Sequence, residues 1–174
     1  IIMGLYTNTI FPAGGDTGNG GIIQIVQTAK TDTFVMSSNG DTWTDVTGLS
    51  VDITPTDSSN NILVIASFNM AADQAHRHGF RLLRGSSLIF VGDTNSDNQR
   101  AAGFQGNPPT NANNYHYTPV YLDSPSTTSA VTYKVQVRGE QNSTDVFINR
   151  PQSDNTGGDY FRGASSITVM EVSS

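Results

Sequence analysis

The sequence predicts an all-β fold, an antiparallel β-sandwich of jelly-roll type with about eight to ten short strands. Apolar residues recur at every second position over short stretches, which is the period of a strand with one face in a core. Runs of Asn, Asp, Gly, Ser and Pro separate these stretches. Charged residues make up only 14% of the chain, and the abundant Ser, Thr, Asn and Gly favour strands and turns over helices.

The length of 174 residues accommodates one domain with a sizeable core and is short for two. We expect an extended N-terminal arm or linker over residues 1–21, because the glycine-dense run FPAGGDTGNGG has few side chains to bury. A single sandwich domain is predicted over residues 22–174.

The clearest pair of strands lies within residues 42–68. Leu49, Val51 and Ile53 alternate with polar residues, a run of turn residues follows, and the apolar segment at 62–65 restarts the pattern. This order predicts a strand, a turn-rich connection and a second strand.

Two further strands are predicted before this pair. Residues 21–30 carry apolar groups on both faces, which is expected of a strand that is covered on both sides. Residues 33–36 form a short β-branched and aromatic piece, and the turn signal Asn39-Gly40 follows it. We therefore expect a hairpin or tight corner after the second strand.

The second half of the chain divides in the same way. Residues 80–84 and 87–91 flank Gly85-Ser86, and a glycine at the first of two central positions predicts a hairpin with a type II′ turn. Residues 92–114 form a polar loop of a length that is usually functional or packed against a neighbour. The remaining strands are predicted at residues 115–122, 131–138, 145–149 and 164–172.

The composition argues against several classes of protein. A formal net charge of −6 is unsuited to binding a phosphate backbone, so no nucleic-acid partner is expected. The chain contains no cysteine, which rules out disulfides, thiolate nucleophiles and thiolate metal sites. The first residues lack the basic and apolar regions of a signal peptide, and no stretch reaches the length of a membrane span. We therefore expect synthesis in a cytosol and no membrane insertion.

Three segments of the chain carry a resemblance to a known family. They are GLSVDITPTDSSNNILVIASF at residues 48–68, YLDSPSTTSAVTYKVQV at 121–137 and SSITVMEV at 165–172, with FRLLRG at 80–85 between them. Together they resemble a β-sandwich domain in virion proteins of tailed bacteriophages, of the kind found in tail fibres and other surface appendages. The resemblance covers roughly residues 22–174, and its motifs are structural and not catalytic.

The resemblance implies a homotrimer of jelly-roll domains in the virion, assembled in the host cytoplasm, with distal loops that bind a receptor or polysaccharide on the bacterial surface. The N-terminal arm would then bind other virion proteins. The apolar residues on both faces of the segments at 21–30 and 115–122 agree with packing against further subunits. The alternative is a decoration or cement protein of the capsid or tail, with a purely structural role.

Aromatic and arginine residues in the late loops are the candidates for receptor or glycan binding. Aromatic rings with a polar edge stack on sugars or fill protein interfaces, and arginine can bind an anionic glycan. The alternative for the aromatic residues is the core or a subunit interface, and for the arginines it is a solvated loop charge. The candidates are Tyr115, Tyr117, Arg150, Tyr160, Phe161 and Arg162.

His76 and His78 stand two residues apart, so their imidazoles point the same way on an extended chain. Near the axis of a trimer, three such pairs could surround one octahedral metal ion. The simpler interpretation is a pair of polar loop residues. No other cofactor is expected. The chain has no nucleophile elbow, zinc-protease motif or phosphate loop, so no enzymatic activity is predicted.

Overall fold

The structure is a computed structural model that describes residues 21–37, 42–73, 76–106, 113–140, 144–155, 158 and 160–174. Within these residues the chain forms twelve strands and no helix, so the described part has no helix that could span a membrane. The strands are β1 (Ile22–Lys30), β2 (Phe34–Met36), β3 (Thr44–Ile53), β4 (Asn61–Ala72), β5 (His78–Arg84), β6 (Ser87–Phe90), β7 (Gly103–Gln105), β8 (Tyr115–Tyr117), β9 (Val120–Asp123), β10 (Val131–Gly139), β11 (Val146–Ile148) and β12 (Ser165–Val172).

The strands form two antiparallel sheets. One sheet has seven strands in the order β1-β12-β4-β11-β2, with β8 and β9 also paired to β4. The other has five strands in the order β3-β10-β5-β6, with β7 paired to β5. The predicted all-β, β-sandwich-like fold is confirmed. The predicted arm lies almost wholly outside the described residues, as does the turn at Asn39-Gly40.

The core lies between the two sheets and follows the predicted alternation. Every second residue of β4 from Ile62 to Met70 is buried, and these side chains meet buried residues of β3, β5 and β10 from the other sheet. Leu49, Val51 and Ile53 of β3 are buried, as predicted from their spacing. In β10 the buried side chains are Tyr133, Val135 and Val137.

Twelve strands are present where eight to ten were expected, and two local features account for the difference. Pro119 divides the predicted strand at 115–122 into β8 and β9, because proline has no N–H for the ladder. Its carbonyl still accepts a hydrogen bond from the N–H of Ala66 at 3.1 Å. The strand β7 lies inside the predicted long loop, where its three residues are too few to show a period in the sequence.

The predicted hairpin between β5 and β6 is confirmed. Arg84 pairs with Ser87 across the two-residue turn. Gly85 has a φ of +57°, whereas Ser86 is not among the residues with positive φ. This combination is the one that a type II′ turn requires.

Gly21 and Ser173 meet at one end of the sandwich, which we call the near end. The N–H of Ser173 donates to the carbonyl of Gly21 at 2.9 Å, and the N–H of Gly21 donates to the hydroxyl of Ser173 at 2.8 Å. The N–H of Ser174 donates to Oδ1 of Asn60, which directly precedes β4, at 3.2 Å.

The strands β4 and β5 connect the near end with the opposite end, which we call the far end. The 12 residues of β4 extend roughly 40 Å at about 3.3 Å per residue. β5 runs back, because Arg84 forms an ion pair of 2.8 Å with Asp123, and Asp123 pairs with Ile62 at the start of β4. Ala72 and His78, the last residue of β4 and the first of β5, therefore lie at the far end.

Candidate functional site

A cleft of about 320 Å³ opens beside Asn69, toward the far end of the seven-stranded sheet. We call it the Phe161 cleft. Three of the predicted binding residues come together here, and the phenyl ring of Phe161 stands out because the residue is 85% exposed. The lining residues are Asn69, Asn114, Pro151, Tyr160, Phe161, Arg162 and Gly163.

The backbone beneath the Phe161 cleft is held by Asn149. Its carbonyl accepts the N–H of Gly163 at 3.0 Å, and its own N–H donates to the carbonyl of Asn69 at 3.1 Å. Asn149 is fully buried and has a φ of +65°, a left-handed conformation that asparagine tolerates better than most residues. The side chain of Asn69 adds a hydrogen bond from Nδ2 to the carbonyl of Ala164 at 3.2 Å. The segment that carries Phe161 is therefore fixed to β4 on its C-terminal side, at Gly163 and Ala164.

The two predicted arginines share one carboxylate. Arg162 donates to Asp154 through Nη2 at 2.7 Å and through Nε at 3.2 Å, and Arg150 donates through Nη1 at 3.3 Å. The hydrogen bond from Arg162 is the main reason that the pKa of Asp154 is below its usual value. Arg150 also packs over the ring of Phe147 at 4.6 Å. Two cations against one anion leave a local positive charge, and Arg162, whose side chain is largely exposed, presents it at the cleft.

The two predicted tyrosines of β8 occupy different positions. Tyr117 packs into the core between Phe68 and Phe80, with ring centroids 5.8 and 4.9 Å away, and burial raises its pKa to about 12. Its buried hydroxyl has no hydrogen-bond partner within the described residues. Tyr115 is half-buried, and its hydroxyl accepts a hydrogen bond from Asn113 at 3.3 Å. Neither tyrosine lines the Phe161 cleft, because the register places Tyr115 opposite Met70 and Tyr117 opposite Phe68, on the core-facing side of β4, whereas Asn69 is on the outer side.

A second cleft, of about 530 Å³, lies at the far end of the five-stranded sheet. We call it the Trp43 cleft. The indole N–H of Trp43 donates to Gln99 at 3.3 Å, and its ring stacks on the guanidinium of Arg81 at 4.4 Å. Phe104 is 73% exposed at this cleft, and no predicted binding residue of the glycan set lines it. The lining residues are Trp43, Arg77, His78, Gly79, Asp97, Asn98, Gln99, Ala101, Phe104, Arg138, Gly139 and Glu140.

The two histidines predicted as metal ligands flank Arg77 at the far end. His78 is 2% exposed, and neither of its ring nitrogens makes a hydrogen bond of normal geometry within the described residues. Burial lowers its pKa to about 4, and the nearby backbone of His76 opposes this only in part. In the part of the chain that the structure describes, no three metal-ligating side chains form a cluster. A metal shared between subunits stays a hypothesis.

We expect the unmodified protein to lose stability on acidification because of His78. The variant His78→Leu should not show this loss. The pKa of His78 is about 4 in the fold against an ordinary value of 6.5, so between these values the unfolded chain binds more protons and stability falls as the pH drops. Above pH 6.5 this loss is absent, and toward pH 4 it reaches about 3 kcal/mol.

Urea unfolding at pH 7.5 and pH 5 measures this effect. His78→Leu is expected to flatten the pH dependence, whereas His116→Gln, which changes an exposed histidine, should keep it. Equal pH dependence in His78→Leu and the unmodified protein would contradict the assignment.

Several residues of the two clefts were not predicted from the sequence. Asn69 lies within the apolar strand β4. The alternation of this strand places Asn69 on the outer side, and this is the one signal in the sequence that could have indicated a binding residue here. Asn114 and Phe104 lie in the polar stretch that was predicted as a functional loop, but nothing in their local sequence separates them from their neighbours.

Comparison with protein families gives no match to any family model. A comparison with curated proteins also gives no match.

Proposed function

We propose that the chain is a non-enzymatic virion module of a phage appendage that binds a glycan or glycan-bearing receptor on the host surface through the Phe161 cleft. The observation that carries this proposal is the exposed Phe161 ring beside Tyr160, two carboxamides and the guanidinium of Arg162. Phe161 is 85% exposed in a cleft with several polar side chains, so its ring is available to stack on a ligand that the polar groups can orient.

The chemistry of the cleft fits a saccharide. An aromatic ring can cover the apolar face of a sugar while its neighbours bind the hydroxyls at the edge. The amides of Asn69 and Asn114 offer both donors and acceptors for these hydroxyls. Arg162 adds a positive charge that would favour a carboxylate, sulfate or phosphate group on the glycan.

Two further observations support an appendage. The first is the resemblance of the segments at 48–68, 121–137 and 165–172 to phage virion domains, which also carries the jelly-roll assignment and the homotrimer. The second is the position of the clefts relative to Gly21. Gly21, where the arm joins the domain, lies at the near end, while both clefts lie toward the far end. An arm bound to other virion proteins would thus leave the clefts facing outward.

A structural role as a decoration or cement protein is the second candidate. It is favoured by the aliphatic side chains that the seven-stranded sheet exposes on its outer face, since such a face suits packing in an assembly. This role needs no ligand in the Phe161 cleft.

Binding to a panel of purified bacterial surface polysaccharides tests the proposal. Phe161→Ala is expected to weaken binding at least tenfold, or about 1.4 kcal/mol, because it removes the stacking surface. Phe104→Ala is the matched control, since it deletes an equally exposed ring at the Trp43 cleft and should leave affinity unchanged.

Three other results would decide against the proposal. Failure of the protein to bind any polysaccharide or host cell favours the structural role. A loss confined to Phe104→Ala would move the site to the Trp43 cleft. Shortening of the polysaccharide during incubation would contradict the non-enzymatic assignment.

A further inference from the structure

The outer face of the seven-stranded sheet carries a continuous band of aliphatic side chains. The register places Ile25, Met170, Leu63 and Leu122 side by side on four neighbouring strands. The next row on this face contains Gln27, Thr168, Ile65 and Val120. We call this surface the aliphatic face. Its most exposed members are Ile22 (58%), Ile23 (46%), Ile25 (58%), Val120 (51%) and Leu122 (54%).

The outer face of the five-stranded sheet is built differently. Lys134 forms an ion pair of 2.7 Å with Asp45, and Gln136 donates to the same carboxylate at 2.6 Å. Arg81 donates to Gln136 at 2.8 Å and extends this network across β5. This network is stable in water, because its charges are paired. The exposed apolar residues of this sheet, Leu88 and Phe104, lie apart on β6 and β7 and form no row across neighbouring strands.

Burial among the described residues does not explain the aliphatic face. Alternation in β4 and β12 sends one set of side chains into the core, and Leu63, Ile65 and Met170 belong to the other set. The five half-exposed aliphatic residues lie on β1 and β9, and Leu63, Ile65 and Met170 of β4 and β12 lie between them. Together they expose on the order of a few hundred Å² of apolar surface, the size at which exposed patches mark interaction sites.

We propose that a second copy of this chain covers the aliphatic face. The two rows named above contain no ionisable side chain, so two copies can approach here although each carries a net charge of −6. An aliphatic surface can also pack against any apolar patch of a second copy, because it needs no charged or hydrogen-bonding partner. The polar residues of the second row, Gln27 and Thr168, and the residues that surround the face would extend the contact toward about 800 Å² per partner.

This contact does not rest on a ligand in the Phe161 cleft. Because Asn69 lies on the same face of β4 as Leu63 and Ile65, the cleft lies beyond the far edge of the aliphatic face.

Sedimentation equilibrium of the full chain at micromolar concentration tests the contact. The unmodified protein is expected to have a mass that is a multiple of the monomer mass. Leu122→Lys and Ile25→Lys each place a charge in the aliphatic face, and each should weaken association at least tenfold. Leu88→Lys is the matched control, because it changes an exposed leucine on the other sheet and should leave the mass unchanged.

The controls for folding are the circular dichroism spectrum and the melting temperature, which should be retained because both residues are half-exposed. A monomeric unmodified protein at about 100 μM would overturn the proposal, and would leave residues 1–20 or another protein to cover the face. So would an oligomer that survives both lysine substitutions in folded protein. Polysaccharide binding by the monomeric variants would separate this result from the proposed function, which requires only the cleft.

Discussion

Replacement of Glu171 by alanine is expected to lower the free energy of unfolding by about 3–5 kcal/mol. Glu171 is fully buried at the near end, and its two oxygens accept four hydrogen bonds. Asn60 donates to Oε1 at 2.6 Å and Gln24 donates to Oε2 at 2.6 Å. The N–H and hydroxyl of Thr56 both donate to Oε1 at 2.7 Å. Removal of the carboxylate would leave these donors without their acceptor in a site that water does not reach.

The same residue makes stability dependent on pH. Burial alone would raise the pKa of Glu171, but the hydrogen bonds from Asn60, Gln24 and Thr56 outweigh it and hold the pKa at about 2, against an ordinary value of 4.5. The folded state therefore binds fewer protons than the unfolded chain between these values. The resulting stability, about 3 kcal/mol, is present in full above pH 4.5 and is lost as the pH falls through about 2.

Two variants separate the charge from the shape of Glu171. Glu171→Gln keeps the size of the side chain and removes its titration, so it should show a smaller loss at pH 7 than alanine and no dependence between pH 4.5 and pH 2 from this residue. Asp97→Asn, at an exposed carboxylate, is the control and should change stability little. Urea unfolding across this pH range is the measurement, and unchanged stability in Glu171→Ala at pH 7 would refute the role assigned to the carboxylate.

The second large effect is expected at Asn149. Its Nδ2 donates to the carbonyls of Lys30 and Asp32, both at 2.9 Å, and its Oδ1 accepts the hydroxyl of Ser165 at 2.5 Å. Asn149→Ala removes these side-chain hydrogen bonds. It also places alanine in a left-handed backbone conformation, which asparagine tolerates better. We expect a loss of about 3–4 kcal/mol in the free energy of unfolding.

A glycine at the same position divides this loss into two parts. Asn149→Gly removes the same side-chain hydrogen bonds but adopts positive φ without strain, so it should be about 1 kcal/mol more stable than the alanine variant. Asn98→Ala, at an exposed asparagine, serves as the control. Urea unfolding measures all three. Amide exchange at Gly163, whose N–H donates to the carbonyl of Asn149, reports whether the cleft backbone loosens in parallel. Full stability in both Asn149 variants would show that the hydrogen bonds of this side chain do not stabilise the fold.

The strands of this protein could be predicted because their signal is local. Alternation in a single segment, such as Leu49, Val51 and Ile53, is enough to assign a strand and its buried face. Strands of three residues are too short to show this alternation. The three residues of β8 place Tyr115 and Tyr117 on one side, but only the pairing of β8 with β4 decides that Tyr117 meets Phe68 and Phe80.

The clefts could be predicted only in part, because their residues come from strands that are distant in the sequence. Tyr160, Phe161 and Arg162 were predicted as a group, since they are neighbours in one loop. Their partners Asn69 and Asn114 depend on the pairing of β4 with β8 and β12, which is a long-range property. Asn149 was predicted at the end of a strand, and its positive φ and five hydrogen-bond partners leave no mark in its local sequence.

The position of Gly21 beside Ser173 decides how the sandwich responds to mechanical force. β1 and β12 are antiparallel neighbours, so tension applied between these two residues would open their ladder from the near end, one hydrogen-bonded pair at a time. Tension between the Phe161 cleft and the near end instead runs along the strands. The hydrogen bonds of antiparallel strands lie perpendicular to that direction, so whole rows of them would resist shear together. The domain is thus expected to be weak to a pull between Gly21 and Ser173, and strong to a pull between Gly21 and the Phe161 cleft.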